Sequence, residues 1–321
     1  MVQIEHLEFI SISKGFINKP FEVTNAWVEY QIAKDSKVLF FVDSIEQPQI
    51  LCWTKIKKVK FIGEVLEVQG PIYKENITTK QLYKFLNVFK DLSYKGVFLN
   101  PSTTYDVSLE VALRKALFKR PIGQSSTSLT IVVKTDEFNP DTNWKRNLKK
   151  ANVNSFNIDI KQDLTIEDSN VIENLHAENA KIKNLGYCLN AKEIKFLTKH
   201  ENIYTCFLYK NKTPIAARII SIEEDISYDI FACNSLESRK NGATQFLMQS
   251  IFEYLKTVGI SNFDFSRIPL GREGAYGVYE FKNSTRGSVI QYNGEWVFFK
   301  NKKLRHLYYL FNLFVNKKDF Y

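Results

Sequence analysis

YTCFLYKNKTPIAARIISIEEDISYDIFAC, residues 204–233, holds three apolar and β-branched runs: Tyr204 to Tyr209, Ile215 to Ile222 and Ser227 to Cys233. Polar turns separate them, Lys210-Asn211-Lys212-Thr213 and Glu223-Glu224-Asp225. This pattern predicts three consecutive strands joined as hairpins. From Gly242 to Thr257 the period changes, and Phe246, Leu247, Ile251, Tyr254 and Leu255 fall on one side of a helix. Gly259 stands where a helix end favours positive φ. Phe263-Asp264-Phe265 reads as the strand that follows.

The first half repeats this grammar. Val38 to Val42 and Gln49 to Trp53 flank the turn Ile45-Glu46-Gln47-Pro48 and predict a hairpin. Val65 to Val68 predicts a strand ended by Gly70-Pro71. Leu82, Phe85, Leu86 and Phe89 give helical spacing over Thr78 to Leu92, with Thr78 or Thr79 as N-cap. Val97 to Leu99 predicts a strand, and Val107 to Phe118 a helix that stops before Pro121. Ser128 to Val133 predicts a strand, and Asn143 to Ala151 a short basic helix capped by Asp141 or Thr142. Glu167 to Ile182 and Ala191 to Thr198 read as helices. The expected domains are 1–135, completed by a C-terminal helix at 305–321, and 136–304.

A chain of 321 residues suits two domains. Its 44% hydrophobic content excludes a disordered protein. The net charge of +9 and pI near 9.1 point to anionic partners or to a lysine-rich soluble surface. Cys52, Cys188, Cys206 and Cys233 form no CxxC pair and no zinc spacing, so they read as small core residues in a reducing compartment. The N-terminus lacks the pattern of a signal peptide, and no apolar run reaches the ~20 residues of a membrane span. A cytoplasmic protein is expected. None of His6, His176, His200 and His306 lies in a recognisable catalytic motif.

Four segments in order resemble the FemABX family of peptidoglycan bridge-forming aminoacyltransferases. They are Val68-Gln69-Gly70-Pro71-Ile72, Ser125 to Ala151 with its basic helix Arg146-Asn147-Leu148-Lys149-Lys150-Ala151, Tyr228 to Phe265, and Gly277-Val278-Tyr279-Glu280-Phe281-Lys282. Gly287 and Tyr292-Asn293-Gly294-Glu295-Trp296 extend the last. Glu280 stands where an Arg is common in that family. The resemblance implies an α/β protein of two GNAT-like domains in tandem, with mixed, mostly antiparallel sheets and flanking helices. It further implies transfer of an aminoacyl or acyl group to an amine of a nucleotide- or lipid-linked envelope precursor. The donor would be aminoacyl-tRNA or acyl-CoA, with no metal required.

Amide formation from an activated donor needs an oriented amine, removal of its proton and stabilisation of the oxyanion. By resemblance, Lys282 lies in the acceptor cleft, where it would bind an anionic acceptor or stabilise that oxyanion, with Phe281 beside it. Tyr228 belongs to the same segments. Arg267 and Arg272 flank a loop at a strand end and suit a diphosphate acceptor. Arg218 lies inside an apolar strand and must face a ligand or pair with an acid such as Asp229. Arg239 and Gly242 partly match the loop by which GNAT enzymes hold the CoA pyrophosphate at a helix N-terminus. Lys145, Arg146, Lys149 and Lys150 form a basic helix face, either solvated or set against tRNA phosphates. Asn301 to His306 precedes LYYLFNLFV, a helix that either packs on the protein or lies on an anionic membrane. Two further functions fit the sequence: a CoA-dependent N-acyltransferase acting on a sugar or other small amine, and a non-catalytic RNA-binding protein.

Overall fold

The computed structural model describes residues 1–17, 19–34, 36–121, 128–183, 189–268 and 276–314. The chain divides into two compact units, residues 1–129 with 291–321, and residues 130–290. The divisions at 129/130 and 290/291 compare with 135/136 and 304/305 expected from the sequence.

The first unit opens with β1 (Val2–Ile4), α1 (His6–Ser13) and α2 (Asn25–Ala33). It continues with β2 (Val38–Val42), β3 (Ile50–Val59), β4 (Gly63–Tyr73), α3 (Thr79–Asn87), β5 (Gly96–Leu99) and α4 (Val107–Lys115). The second unit begins with β6 (Leu129–Lys134) and α5 (Thr142–Ala151). Next come β7 (Phe156–Lys161), α6 (Ile166–Lys183), α7 (Ala191–Thr198), β8 (Ile203–Lys210), β9 (Thr213–Glu223) and β10 (Ile226–Asn234). It closes with α8 (Ala243–Thr257), β11 (Asn262–Arg267), α9 (Tyr276–Asn283) and β12 (Ser288–Gln291). The last elements, β13 (Trp296–Phe299) and α10 (Lys302–Phe314), belong to the first unit.

The sheets run β1-β2-β3-β4-β5-β13 and β12-β6-β11-β10-β9-β8-β7. Strands β1 to β5 therefore match β7 to β11 one for one, and β13 beside β5 matches β6 beside β11. In both units the central hairpins are antiparallel. Strand β4 pairs parallel with β5 across helix α3, and β10 pairs parallel with β11 across helix α8. Each parallel pair is three residues long, Leu66–Val68 on Val97–Leu99 and Ile226–Tyr228 on Asn262–Asp264. Immediately beyond, β4 and β10 each gain a residue against the neighbouring hairpin strand, which forms a bulge. At those bulges the parallel strands part.

Two strands are longer than their apolar runs suggest. Strand β3 continues past Trp53 to Val59 because its polar half pairs with charge on β4: Lys55 and Lys57 lie 3.3 and 3.2 Å from the Glu67 carboxylate. Strand β4 continues through Gly70-Pro71 to Tyr73 rather than ending there, since the bulge absorbs the proline. The segment Gly277 to Lys282 forms most of helix α9.

In the first unit Leu82, Phe85 and Leu86 of α3 pack on Leu66, Val68, Val97 and Leu99 of the sheet. Thr78 caps α3 through a capping box with Gln81. In the second unit Trp144, Ile251, Phe252, Phe263 and Phe265 are buried together, with the Phe263 and Phe265 rings 4.9 Å apart. Asp141 caps α5 by accepting from the Trp144 amide at 2.7 Å. Cys52, Cys206 and Cys233 are buried free thiols, and burial pushes Cys206 up to about 12. Cys188 lies outside the described residues.

Candidate active site

The parting of β10 and β11 gathers charge in an otherwise apolar layer. Arg218 of β9 is 5% exposed, and its Nη1 lies 2.6 Å from Oδ2 of Asp229, the residue at the β10 bulge. Its guanidinium carbon lies 6.0 Å from the Phe265 ring and 5.9 Å from the Phe281 ring, within cation–π range. Asp264 is the last residue of β11 paired with β10 and is buried. Its Oδ1 accepts from the Thr130 hydroxyl of β6 and from the Ser266 amide at 2.7 Å. Ser266 itself, at φ +57°, lies in the stretch where β11 shifts register against β6. Its hydroxyl donates to the Asp229 carbonyl at 2.7 Å, tying the parted strands together.

Lys282 reaches this place from α9 and is 8% exposed. Its Nζ donates to the carbonyls of Phe265, Arg267 and Ser266 at 2.6, 3.0 and 3.4 Å, which engages all three ammonium protons. Burial holds its pKa below the usual lysine value, and the Asp229 and Asp264 carboxylates partly offset that effect. Arg218, Lys282, Asp229 and Asp264 thus make a balanced set of two cations and two anions. Removing such ions from water costs several kcal/mol each unless they are paired. A cluster of this kind marks a candidate functional site more than a stabilising device. The Asp229 Oδ1 is buried and has no hydrogen-bond partner among the described residues.

Of the residues singled out from the sequence, the fold brings Arg218, Phe281, Lys282 and Tyr228 together. Tyr228 is buried opposite Asp264. Arg267 adds its carbonyl to the Lys282 cage, while Arg272 lies outside the described residues. Arg239 and Gly242 precede α8. Gly242 has φ +74°, and a Cβ there would stand 1.9 Å from the Asn147 carbonyl oxygen of α5. Lys145, Arg146, Lys149 and Lys150 are exposed on α5, above a stripe that buries Trp144 and Ala151. The sequence reading missed Asp264, Thr130 and Ser266. One signal was available, because Asp264 is the charged residue between two buried phenylalanines of a strand.

Two cavities lie within single units. One of about 450 Å³ borders Asp141, Asn143, Gln245, Glu280 and Phe281 in the second unit. The other, of about 370 Å³, lies in the first unit where β4 and β5 part, between Gln69, Phe98, Asn100, Trp296 and Tyr308.

No protein-family model and no curated protein matches the sequence. Solved structures do resemble it. FemX aligns with a TM-score of 0.76 at 12% identity, over 96% of this chain and 99% of that one. L-PGS from Bacillus licheniformis aligns at 0.64 and 15% identity, over 94% and 93%. A tandem GNAT protein from the clavulanic acid biosynthesis pathway aligns at 0.55 and 8%, over 92% and 94%. The chain therefore has the tandem GNAT-like α/β fold, in the form that FemX also takes.

Proposed function

We propose that this protein transfers an aminoacyl or acyl group from an activated donor to an amine of a cell-envelope precursor. The observation that carries the proposal is the set of buried Arg218, Asp264 and Lys282 with the largely covered Asp229 at the parting of β10 and β11. The likeness to FemX and L-PGS supports the fold in which such chemistry would sit. In the proposed reaction the acceptor amine attacks the donor carbonyl carbon, the C–N bond forms, and the donor oxygen or sulfur leaves. The amine must lose a proton, and the carboxylate oxygen of Asp229 that Arg218 leaves unpaired is suited to receive it. Lys282 acts as a positioning residue: its protons hold the end of β11, and its charge favours negative charge developing nearby. Aminoacyl-tRNA suits this chain better than acyl-CoA. A carbonyl oxygen packed against Gly242 presents negative charge where the loop before α8 would receive a pyrophosphate.

The test is label transfer from charged tRNA or from acyl-CoA to a UDP-linked muropeptide or a small amine. Wild type should form product, and Lys282→Met should reduce the rate about 10²-fold or more, as loss of one electrostatic contributor does. A melting curve must accompany the variant, since the carbonyls of Phe265, Ser266 and Arg267 lose the Lys282 donor. No product with any donor and acceptor, or full activity in a folded Lys282→Met, would end this reading. Steeply salt-dependent RNA affinity without turnover would put the RNA-binding reading in its place.

A further inference from the structure

We infer that the first unit docks onto an anionic phospholipid surface through the outer side of α10 and the tip of the β3–β4 hairpin. The inner side of α10 is accounted for. Tyr308 lies 5.0 Å from the Phe98 ring and 5.3 Å from the Phe299 ring, and Asn312 is 2% exposed. The outer side is apolar as well. Leu307, Leu310 and Phe314 share one helical face at spacings of three and four, and they are 39%, 52% and 71% exposed. A helix with apolar residues on both sides belongs in an interior or at a membrane.

The hairpin tip adds a second, independent segment. Phe61 is 69% exposed and holds φ +64°. Aromatic residues rarely take that backbone region, so its presentation at an exposed tip points to a use. The Phe61 and Phe311 rings lie 6.5 Å apart, which joins the tip and the helix into one surface.

The charge around this surface selects the occupant. Neither residues 55–61 nor residues 302–314 contain an acid. Lys58, Lys60, Lys302, Lys303 and His306 are exposed around the apolar stripe. The acids across the hairpin are Glu67, bridged to Lys55 and Lys57, and Glu64, opposite Lys58 in register. Protein interfaces are depleted in lysine, whereas lysine beside exposed Phe and Leu is the composition of a helix lying at a lipid headgroup boundary. Among the described residues no helix is long and apolar enough to cross a membrane, so this contact is a surface one.

The test is flotation of the whole protein with phosphatidylglycerol-containing vesicles and with pure phosphatidylcholine vesicles. Wild type should bind the anionic vesicles, hardly bind the neutral ones, and release as salt rises. The variant Phe61→Asn/Leu310→Ser/Phe314→Ser should bind at least about tenfold more weakly, with its melting temperature kept, because all three side chains are exposed. Lys58→Ser/Lys60→Ser should weaken only the anionic preference. Absence of wild-type binding at low salt, or equal binding by the triple variant, overturns the inference. So does a dimer, seen by light scattering, that the triple variant dissolves, because a second copy then covers this face.

Discussion

Where β4 and β5 part in the first unit, the register brings Leu51, Gln69 and Leu99 to the bulge; where β10 and β11 part in the second, the matching positions hold Arg218, Asp229 and Asp264. The strand order, the three-residue parallel pairing and the bulge are common to both. In the first unit Leu51 and Leu99 are buried at 0% and 1% exposure in two separate apolar clusters, and an aromatic-walled cavity lies beside Gln69 and Leu99. The second unit fills the same place with ions. Leucine suffices to build this architecture, so the ions of the second unit are there for something other than folding. One topology thus carries a packed joint in one copy and a polarised one in the other.

The largest effect is expected at Arg218. Arg218→Leu places the first unit's residue in the second and leaves the largely covered Asp229 without its ion-pair partner, which should destabilise the protein by about 3 kcal/mol. Arg218→Leu with Asp229→Gln copies both residues of the first unit and should recover most of that loss, since a buried pair replaced as a whole is often neutral. Denaturant unfolding measures both, and the transfer assay should read the double variant as inactive. If the single variant is as stable as wild type, the ion pair does not differ from the leucine joint in the way described.

The helices that follow the bulged strands sharpen the contrast. Helix α8 begins at Gly242 in a left-handed conformation, pressed on the backbone of α5. Gly242→Ala must both adopt a positive φ and displace a main-chain carbonyl, so a loss of about 2–3 kcal/mol in thermal or denaturant unfolding is expected. Helix α3 begins instead with the side-chain cap of Thr78, and Thr78→Ala should cost about 1 kcal/mol. If the two variants proved equal, α5 would not be packed as tightly on the start of α8 as the geometry requires.

Much of this was legible in the sequence, for physical reasons that differ by residue. The central strands and α8 announce themselves because burial on one face forces the period. The Arg218 choice between ligand and acid could be framed from sequence, because an arginine inside an apolar strand must be compensated. Its resolution in favour of Asp229 depends on a bulge whose position no local pattern reveals. Lys282 was found through its motif, yet its three carbonyl partners come from another element 15 to 17 residues earlier. Thr130 and Asp264 are 134 residues apart and meet through strand order alone. The likeness of α5 to α10, each following the strand beside β11 or β5, also needed the sheet order to be seen.

The smallest effect concerns the helices on the other face of each sheet. In the first unit α1 lays Phe9 on Phe40, ring centroids 4.8 Å apart, whereas in the second α6 lays His176 on Phe231 at 4.6 Å. Burial holds the His176 pKa below the ordinary value of 6.5. As pH falls through 6.5, the unfolded chain takes up a proton that the folded one still refuses, so folding stability decreases until the folded imidazole also titrates. Above 6.5 the contribution is fully present. His176→Phe supplies the second unit with the kind of contact the first already has. It should flatten the fall in stability as pH drops below 6.5, read from denaturant unfolding of wild type and variant at a series of pH values. Parallel decline of wild type and variant across that range would mean that His176 is as well solvated in the fold as in the unfolded chain, against its 7% exposure.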